Sequence, residues 1–520
     1  MAVHVSRRPD PGPPLLSTVA QFHDGQIRGL HPSPRRTTSR GGRIRGGRPS
    51  MAAHDTRQPD SWPPPLSTAP PPLFALFVGS IRLHQVFILL ELVKGIVLSP
   101  VSTPLNTSSG ILLSFLAALP LESQQLLLPS WRANAGNSTP DPHCAFLGVT
   151  CSAVGAVAAL NLSGVGLSGE LSESAPHLCA LPELSLLDLS SNNFSGAVPA
   201  ALATCSGVTT VVLADNRLSG GIPPELLSSR QLRDVDLSFN ALAGKILMAP
   251  SSADKSVLEF VDLKNNSLSG AIPAELAALP ELRHLDLSMN QLSGPIPDFP
   301  TQCKIESLQL YNNEIAGELP RSLSNCANLT VLLLPFNKIT GAVPDFFASL
   351  PLLKKIYLDD NAFTGELPVS IGELLNLEKL VASTNWFTGP VPGSIGKCQS
   401  LTTLRLNDNQ FTALWQMPDM ELALYNNSLS GEVPAEVALM RNLTEFNLAF
   451  NNFTGELPQA LGLNTTQGLV RIDLTGNNFH GAIPHGLCTG GRLNVLDLRL
   501  NQFSGSIPAS LVQYHGNFKF

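Results

Sequence analysis

Leu353-Lys-Lys-Ile-Tyr-Leu-Asp-Asp-Asn-Ala-Phe-Thr-Gly-Glu-Leu-Pro368 decides the fold, because its pattern, LxxLxLxxNxxTGxLP, returns from about residue 157 to residue 508. The asparagine of the pattern falls at Asn192, Asn216, Asn240, Asn266, Asn290, Asn313, Asn337, Asn361, Asn385, Asn409, Asn427, Asn451, Asn477 and Asn501, mostly 24 residues apart or close to it. A degenerate copy from Val157 to Gly169, with Val165 in the Asn place, precedes them and brings the count to fifteen. A fixed period of this length means one elongated stack of coils, although 520 residues could hold three ordinary domains.

Each copy explains itself chemically. In a short strand alternate side chains point the same way, so Ile356 and Leu358 turn inward while Tyr357 between them faces out. Asn361 follows where the chain must turn, and its amide satisfies both a backbone donor and a backbone acceptor. Stacked coils thus make an inner asparagine ladder. The next piece, Thr364-Gly-Glu-Leu-Pro368 here and Ser293-Gly-Pro-Ile-Pro297 elsewhere, supplies a turn and a second extended segment that tolerates proline. A short helical turn such as Ser370-Ile-Gly-Glu-Leu374 then closes the coil on the convex side.

Ahead of the repeats, residues 106–156 read as a cap, which a stack needs because its first coil would otherwise expose core leucines. Ser108 or Ser109 caps a helix with Ile111, Leu112, Phe115, Leu116 and Leu119 on one face, and Pro120 ends the pattern. Trp131 follows, and the spacing of Cys144 and Cys151 suits a short loop closed by a structural disulfide. The other six cysteines, Cys179, Cys205, Cys303, Cys326, Cys398 and Cys488, fall at similar points of separate repeats. They read as buried thiols of the convex side, though the pairs Cys179/Cys205 and Cys303/Cys326 stand in neighbouring coils within reach of a bridge.

Residues 1–105 do not read as a folded domain. Up to residue 72 they are rich in Pro, Arg, Gly and Ser, and Met1 to Thr18 is echoed by Met51 to Thr68, as in a duplicated or mis-annotated upstream segment. Residues 73–99 form a signal-like hydrophobic stretch, but Arg82, His84, Glu91 and Lys94 interrupt it and argue against a spanning helix. The net charge of -7 divides unevenly: nine Arg against Asp10 and Asp24 give +7 in residues 1–50, leaving -14 for the rest. An acidic body argues against a nucleic-acid partner.

The pattern LxxLxLxxNxLSGxIPxx resembles the plant-specific class of leucine-rich repeat, and Trp131 with Cys144-x6-Cys151 resembles the N-terminal cap of plant leucine-rich-repeat receptor kinases. Cap and repeats cover about 400 of the 520 residues. Asn464-Thr-Thr, Gly486-Leu-Cys488 and Gly505-Ser-Ile-Pro-Ala-Ser510 are similar to receptors of plant danger-signal peptides. The resemblance implies an α/β solenoid, a right-handed superhelix with a parallel sheet on its concave face. It also implies an extracellular, cell-surface ectodomain that binds a peptide or protein ligand, with a coreceptor kinase as a second partner and no small-molecule cofactor. Asn-x-Ser/Thr acceptors support secretion at Asn137, Asn161, Asn193, Asn328, Asn442, Asn452 and Asn464; Asn106, Asn265 and Asn426 also match.

Two departures from that family stand out. Residues 513–520 read as an uncapped tail with no cysteine cap, membrane helix or kinase after it, as in a truncated receptor. Between Asn409 and Asn427 only 18 residues intervene, making an irregular coil at 410–426 that contains Trp415.

The residue between the two strand leucines is usually Asp, but the habit lapses from Gln309 to Asn447. Within that window Tyr311, Phe336, Lys355, Tyr357, Asp359, Asp360 and Arg405 put aromatic and charged groups on a rigid sheet, as a peptide groove requires. No Ser/His/Asp spacing, phosphate loop or CxxC metal motif stands out, so neither catalysis nor a metal is expected. The leading reading is a receptor-kinase ectodomain; the alternatives are a secreted inhibitor of a cell-wall hydrolase, or a non-functional gene fragment.

Overall fold

The computed structural model describes residues 107–135, 141–249, 256–413, 421–440, 443–463, 468–512 and 516–520. The leader 1–105 with its hydrophobic stretch lies outside the described residues, as do Asn106, Asn137, Trp415, Asn442 and Asn464. Among the described residues no helix is long and apolar enough to cross a membrane.

The cap comprises α1 (Ser108–Ala117) and α2 (Leu121–Ala135). Thr107, and not Ser108 or Ser109, caps α1: its hydroxyl accepts the Gly110 amide at 3.1 Å. The helix begins at Ser108, three residues before the apolar pattern does at Ile111, which puts both serines inside its first turn. The expected face of Ile111, Leu112, Phe115, Leu116 and Leu119 is buried. Trp131 of α2 is fully buried, stacked on Phe146 at 5.4 Å, and its indole N–H donates to the Leu147 carbonyl at 3.1 Å. Strand β1 (Val149–Cys151) runs antiparallel to β2 (Val157–Asn161), and a disulfide joins Cys144 to Cys151.

From β2 onward the strands of the repeats stack parallel in one 17-stranded sheet. The middle residues, Leu308, Leu332, Ile356, Leu380, Leu404 and Leu422, are register partners from coil to coil and are all buried. Each asparagine ties two coils together. Asn361 donates to the carbonyls of Leu334, Leu358 and Asp359 at 3.0, 3.2 and 3.1 Å, while its Oδ1 accepts the Ile339 amide of the preceding coil at 3.0 Å. Two residues after the asparagines lies a column of stacked rings, Phe363, Phe387 and Phe411, at centroid spacings of 5.9 and 6.0 Å. A second column joins Phe453, Phe479 and Phe503; Leu429 separates the two.

A ten-stranded second sheet runs from Ser168–Glu170 to Trp386–Phe387. At the short coil it gives way to a single bridge, Pro390 to Ala413, and then to separate two-stranded pairings. The main sheet passes through without a break: Arg405 pairs directly with Ala423, and Asn427 Oδ1 accepts the Phe411 amide at 3.0 Å. Dropping six residues therefore spares the strand and the asparagine rung, because both sit in the first half of the coil. Beyond Asn501, Asn517–Lys519 adds one more parallel strand against Val495–Asp497.

Four of the six repeat cysteines are not free thiols. Cys179 is bridged to Cys205 and Cys303 to Cys326, leaving Cys398 and Cys488 free and buried. The reason is register: each pair occupies the same point of adjacent coils, with Cα atoms 4.6 Å apart, inside the range a disulfide spans.

Candidate functional site

The repeat strands of the main sheet turn their middle residue into the core and the two beside it to the opposite face, so parallel register arranges that face in rows, most of whose members are half-buried while Asp286, Val381 and Thr403 are buried. One row reads Asp236, Asp262, Asp286, Gln309, Leu333, Tyr357, Val381, Arg405, Ala423. A second row, two residues earlier in each coil, reads Asp234, Phe260, His284, Ser307, Val331, Lys355, Lys379, Thr403. Two residues after the first row the chain enters the turn, where Lys264, Ser288, Tyr311 and Asp359 stand. The next residue takes a left-handed conformation, as at Phe336 with φ 56° and Asp360 with φ 51°.

Lys355, Tyr357, Asp359 and Asp360 therefore lie in one coil, with Phe336 at the turn of the coil before and Arg405 two strands on in the Tyr357 row. Asp359 is the unusual member. Burial pushes its carboxyl up to about 7, the neighbouring Asp360 adds to the rise, and Arg405 opposes it. Its Oδ1 is buried without a hydrogen-bond partner. A buried acceptor left unpaired costs about 1–3 kcal/mol, so this coil carries a standing demand for a donor.

Tyr311 belongs elsewhere. The Lys264 ammonium lies 5.3 Å from the Tyr311 ring and 5.6 Å from the Phe239 ring. Burial works against the Lys264 charge, but the Tyr311 hydrogen bond and the carboxylates of Asp286 and Asp262 outweigh it and raise its pKa. Tyr311 thus joins the acidic half of the face, two coils from Tyr357.

That acidic half holds residues the sequence reading passed over. Burial raises the carboxyls of Asp236, Asp262 and Asp286, and the carboxylates of adjacent rungs repel one another. His284 stacks on Phe260 at 4.4 Å, and burial lowers its imidazole to about 4. The last rungs differ: Arg499 makes paired hydrogen bonds of 2.8 and 2.7 Å to Asp497 and holds its carboxyl far below the usual range. Reading both exposed positions of every strand, instead of the one between the leucines, would have found His284.

Phe239 and Phe450 were also missed. Both occupy the left-handed turn position, with φ 53° and 54°, and Phe450 is 54% exposed. A bulky residue there carries backbone strain and open apolar surface together. Gly476, the matching residue of the next coil, makes room for the Phe450 ring, since a Cβ there would come 2.8 Å from it. Their signal is an aromatic residue directly before a ladder asparagine.

Comparison with known proteins agrees with this geometry. A family profile described as the leucine rich repeat N-terminal domain matches residues 105–152, and leucine-rich-repeat profiles match residues 183–205, 257–279, 281–303, 304–326, 397–413 and 442–463. The matched stretches are leucine-rich repeats and the N-terminal domain that precedes them. Its relatives are plant receptor-like proteins and receptor kinases. It is 36% identical over 94 residues to Receptor-like protein 31 of Arabidopsis thaliana, a match covering 18% of this chain and 11% of that protein. The crystal structure of PEPR1-AtPEP1 is 30% identical with a TM-score of 0.59, over 78% of this chain and 63% of that one. The Arabidopsis receptor kinase HAESA, in complex with the peptide hormone IDA and the co-receptor SERK1, is 27% identical with a TM-score of 0.50, over 78% and 83%.

Proposed function

We propose that this chain is the extracellular, ligand-binding part of a plant receptor-like kinase and recognises a peptide or protein on the exposed face of its main sheet. The observation that carries this reading is the coil Lys355–Asp360, where a buried, unpaired carboxylate oxygen of Asp359 sits beside Tyr357 and within the field of Arg405. Rigid parallel rungs hold these groups at fixed spacing, so a ligand loses its own freedom while the receptor loses little. Lys355, Tyr357, Asp359, Asp360, Phe336 and Arg405 are the contact residues of this reading, with Tyr311 at its margin. The solved relatives include a receptor with both a peptide hormone and a co-receptor, which supports a ligand and a coreceptor kinase as partners at the cell surface.

Peptides selected from a displayed random library against the whole chain test the face directly. Tyr357→Ala and Arg405→Ala are each expected to weaken calorimetric binding of the selected peptides by at least tenfold, in line with ~2 kcal/mol for an aromatic or arginine anchor. Affinities within twofold of the parent would place the site elsewhere. Secretion implies glycans, and of the acceptors Asn161, Asn193, Asn328 and Asn452, the exposed Asn328 lies in a convex-side segment clear of the face, whereas Asn161 is engaged by Asp188 at 3.0 Å. Enzymatic removal of N-glycans from the secreted chain is expected to convert Asn328 to Asp by mass spectrometry; an unmodified Asn328 would count against secretion.

A further inference from the structure

Three metal-ligating side chains converge on the acidic half of the sheet, where the two rows meet across one strand pair. Asp262 and Asp286 are register partners on adjacent strands, and His284 stands two residues before Asp286 on the same face, beside Phe260. One imidazole nitrogen and one oxygen of each carboxylate all lie within 4.8 Å of one another. Donors around a tetrahedral zinc ion are roughly 3–4 Å apart, so small side-chain rotations would bring the set together.

A second observation at the same place does not depend on the carboxylates. Ser288 has no exposed surface, and its Oγ lies toward Asp286 and helps to hold that carboxyl down without making a well-formed hydrogen bond to any group. At the equivalent point of other coils the hydroxyl donates to its aspartate: Ser190 to Asp188 at 2.6 Å, Ser238 to Asp236 at 2.7 Å, Thr475 to Asp473 at 2.7 Å. The Ser288 amide holds Asp286 Oδ1 at 2.9 Å, so the carboxylate is fixed from the backbone while the hydroxyl keeps capacity for a better partner. The coil that breaks the habit is the one that carries the histidine.

We infer that Asp262, His284 and Asp286 form a site for a divalent cation of the zinc class, clamping two neighbouring coils. An imidazole with two carboxylates suits a borderline ion such as Zn²⁺ over the all-oxygen sets that Mg²⁺ and Ca²⁺ take. Three protein donors leave coordination positions open to water or to an acidic group presented to the face. Lys264 at the turn and Asp236 on the preceding rung also act on these carboxylates, the first favouring their charge and the second opposing it.

The test is a calorimetric titration of the whole, chelator-treated chain with Zn²⁺, run in parallel on His284→Gln and Asp262→Asn. The parent is expected to bind one equivalent more than His284→Gln, and Asp262→Asn to bind that equivalent at least tenfold more weakly. Both side chains are half-buried, and unchanged thermal unfolding of the metal-free variants checks that they fold. X-ray absorption at the zinc edge is expected to show nitrogen and oxygen donors without sulfur. Equal stoichiometry and affinity in parent and variants would overturn the assignment, as would sulfur donors, or Ca²⁺ or Mg²⁺ competing on equal terms.

Discussion

Asn385→Ala is expected to cost about 3–5 kcal/mol of local stability, the largest effect of any single side chain on the inner ladder. Asn385 is only 7% exposed and makes four bonds: its amide nitrogen donates to the carbonyls of Leu358, Ala382 and Ser383, and its Oδ1 accepts the Phe363 amide. Alanine would strand a buried N–H and leave three carbonyls short of a donor, with no route for water. It would also loosen the turn beneath the Phe363–Phe387–Phe411 column. Because each coil contacts mainly its neighbours, the damage stays local. Amide hydrogen exchange is the measurement: protection of Phe363 and its neighbours should fall by roughly 100-fold or more, while the coils around Asn240 keep theirs. A fall of less than tenfold would mean that the ladder is an ornament of the turn and not its support.

The second large effect concerns Asp359 and carries a pH sign. Its folded carboxyl titrates at about 7, against 3.8 ordinarily, because burial disfavours the charge. Below pH 4 both folded and unfolded chains hold the proton, and stability is full. Between about pH 4 and pH 7 the unfolded chain gives up its proton while the folded one keeps it, so stability falls as pH rises through that window and levels off above it. Asp359→Asn removes the ionisation. At pH 8 the variant should hold its coil more firmly than the parent, by on the order of 2 kcal/mol once partial solvent screening is allowed for. At pH 4 the two should match. Local exchange rates for residues around Asn361 at the two pH values decide it, and a difference independent of pH would remove the buried charge from the account. The same change tests recognition, since a ligand donor that satisfies Asp359 Oδ1 would restore in the complex what ionisation costs in the free protein.

How far the sequence speaks follows from which contacts are local. The period, the inward leucines, the asparagine rungs and the cap around Trp131 are written in every coil or in one short stretch, so pattern and elementary sterics reach them. The break in the aspartate row was legible for the same reason, as were Tyr357 and Arg405 within it and Asp359 at the turn that follows. The cap of α1 is Thr107 and not Ser108 or Ser109, because the helix starts ahead of the apolar pattern from Ile111 that marks it.

What only the tertiary structure decided are relations between coils. Spacings between successive asparagines range from 18 to 26 residues, so residues that touch across a rung share no constant separation in sequence. Cys179 and Cys205 are 26 apart, and Cys303 and Cys326 are 23 apart; strand register, not spacing, brings each pair together. Register likewise seats Lys264 on Tyr311 two coils away, sets His284 against Phe260, and gathers Asp262 and Asp286 around one point of the face. The sequence by itself determined that a stack of leucine-rich coils would form, because each coil states its own inside and outside. Which side chains meet on the outside depended on how neighbouring coils align, and the parallel hydrogen bonds between strands settle that alignment.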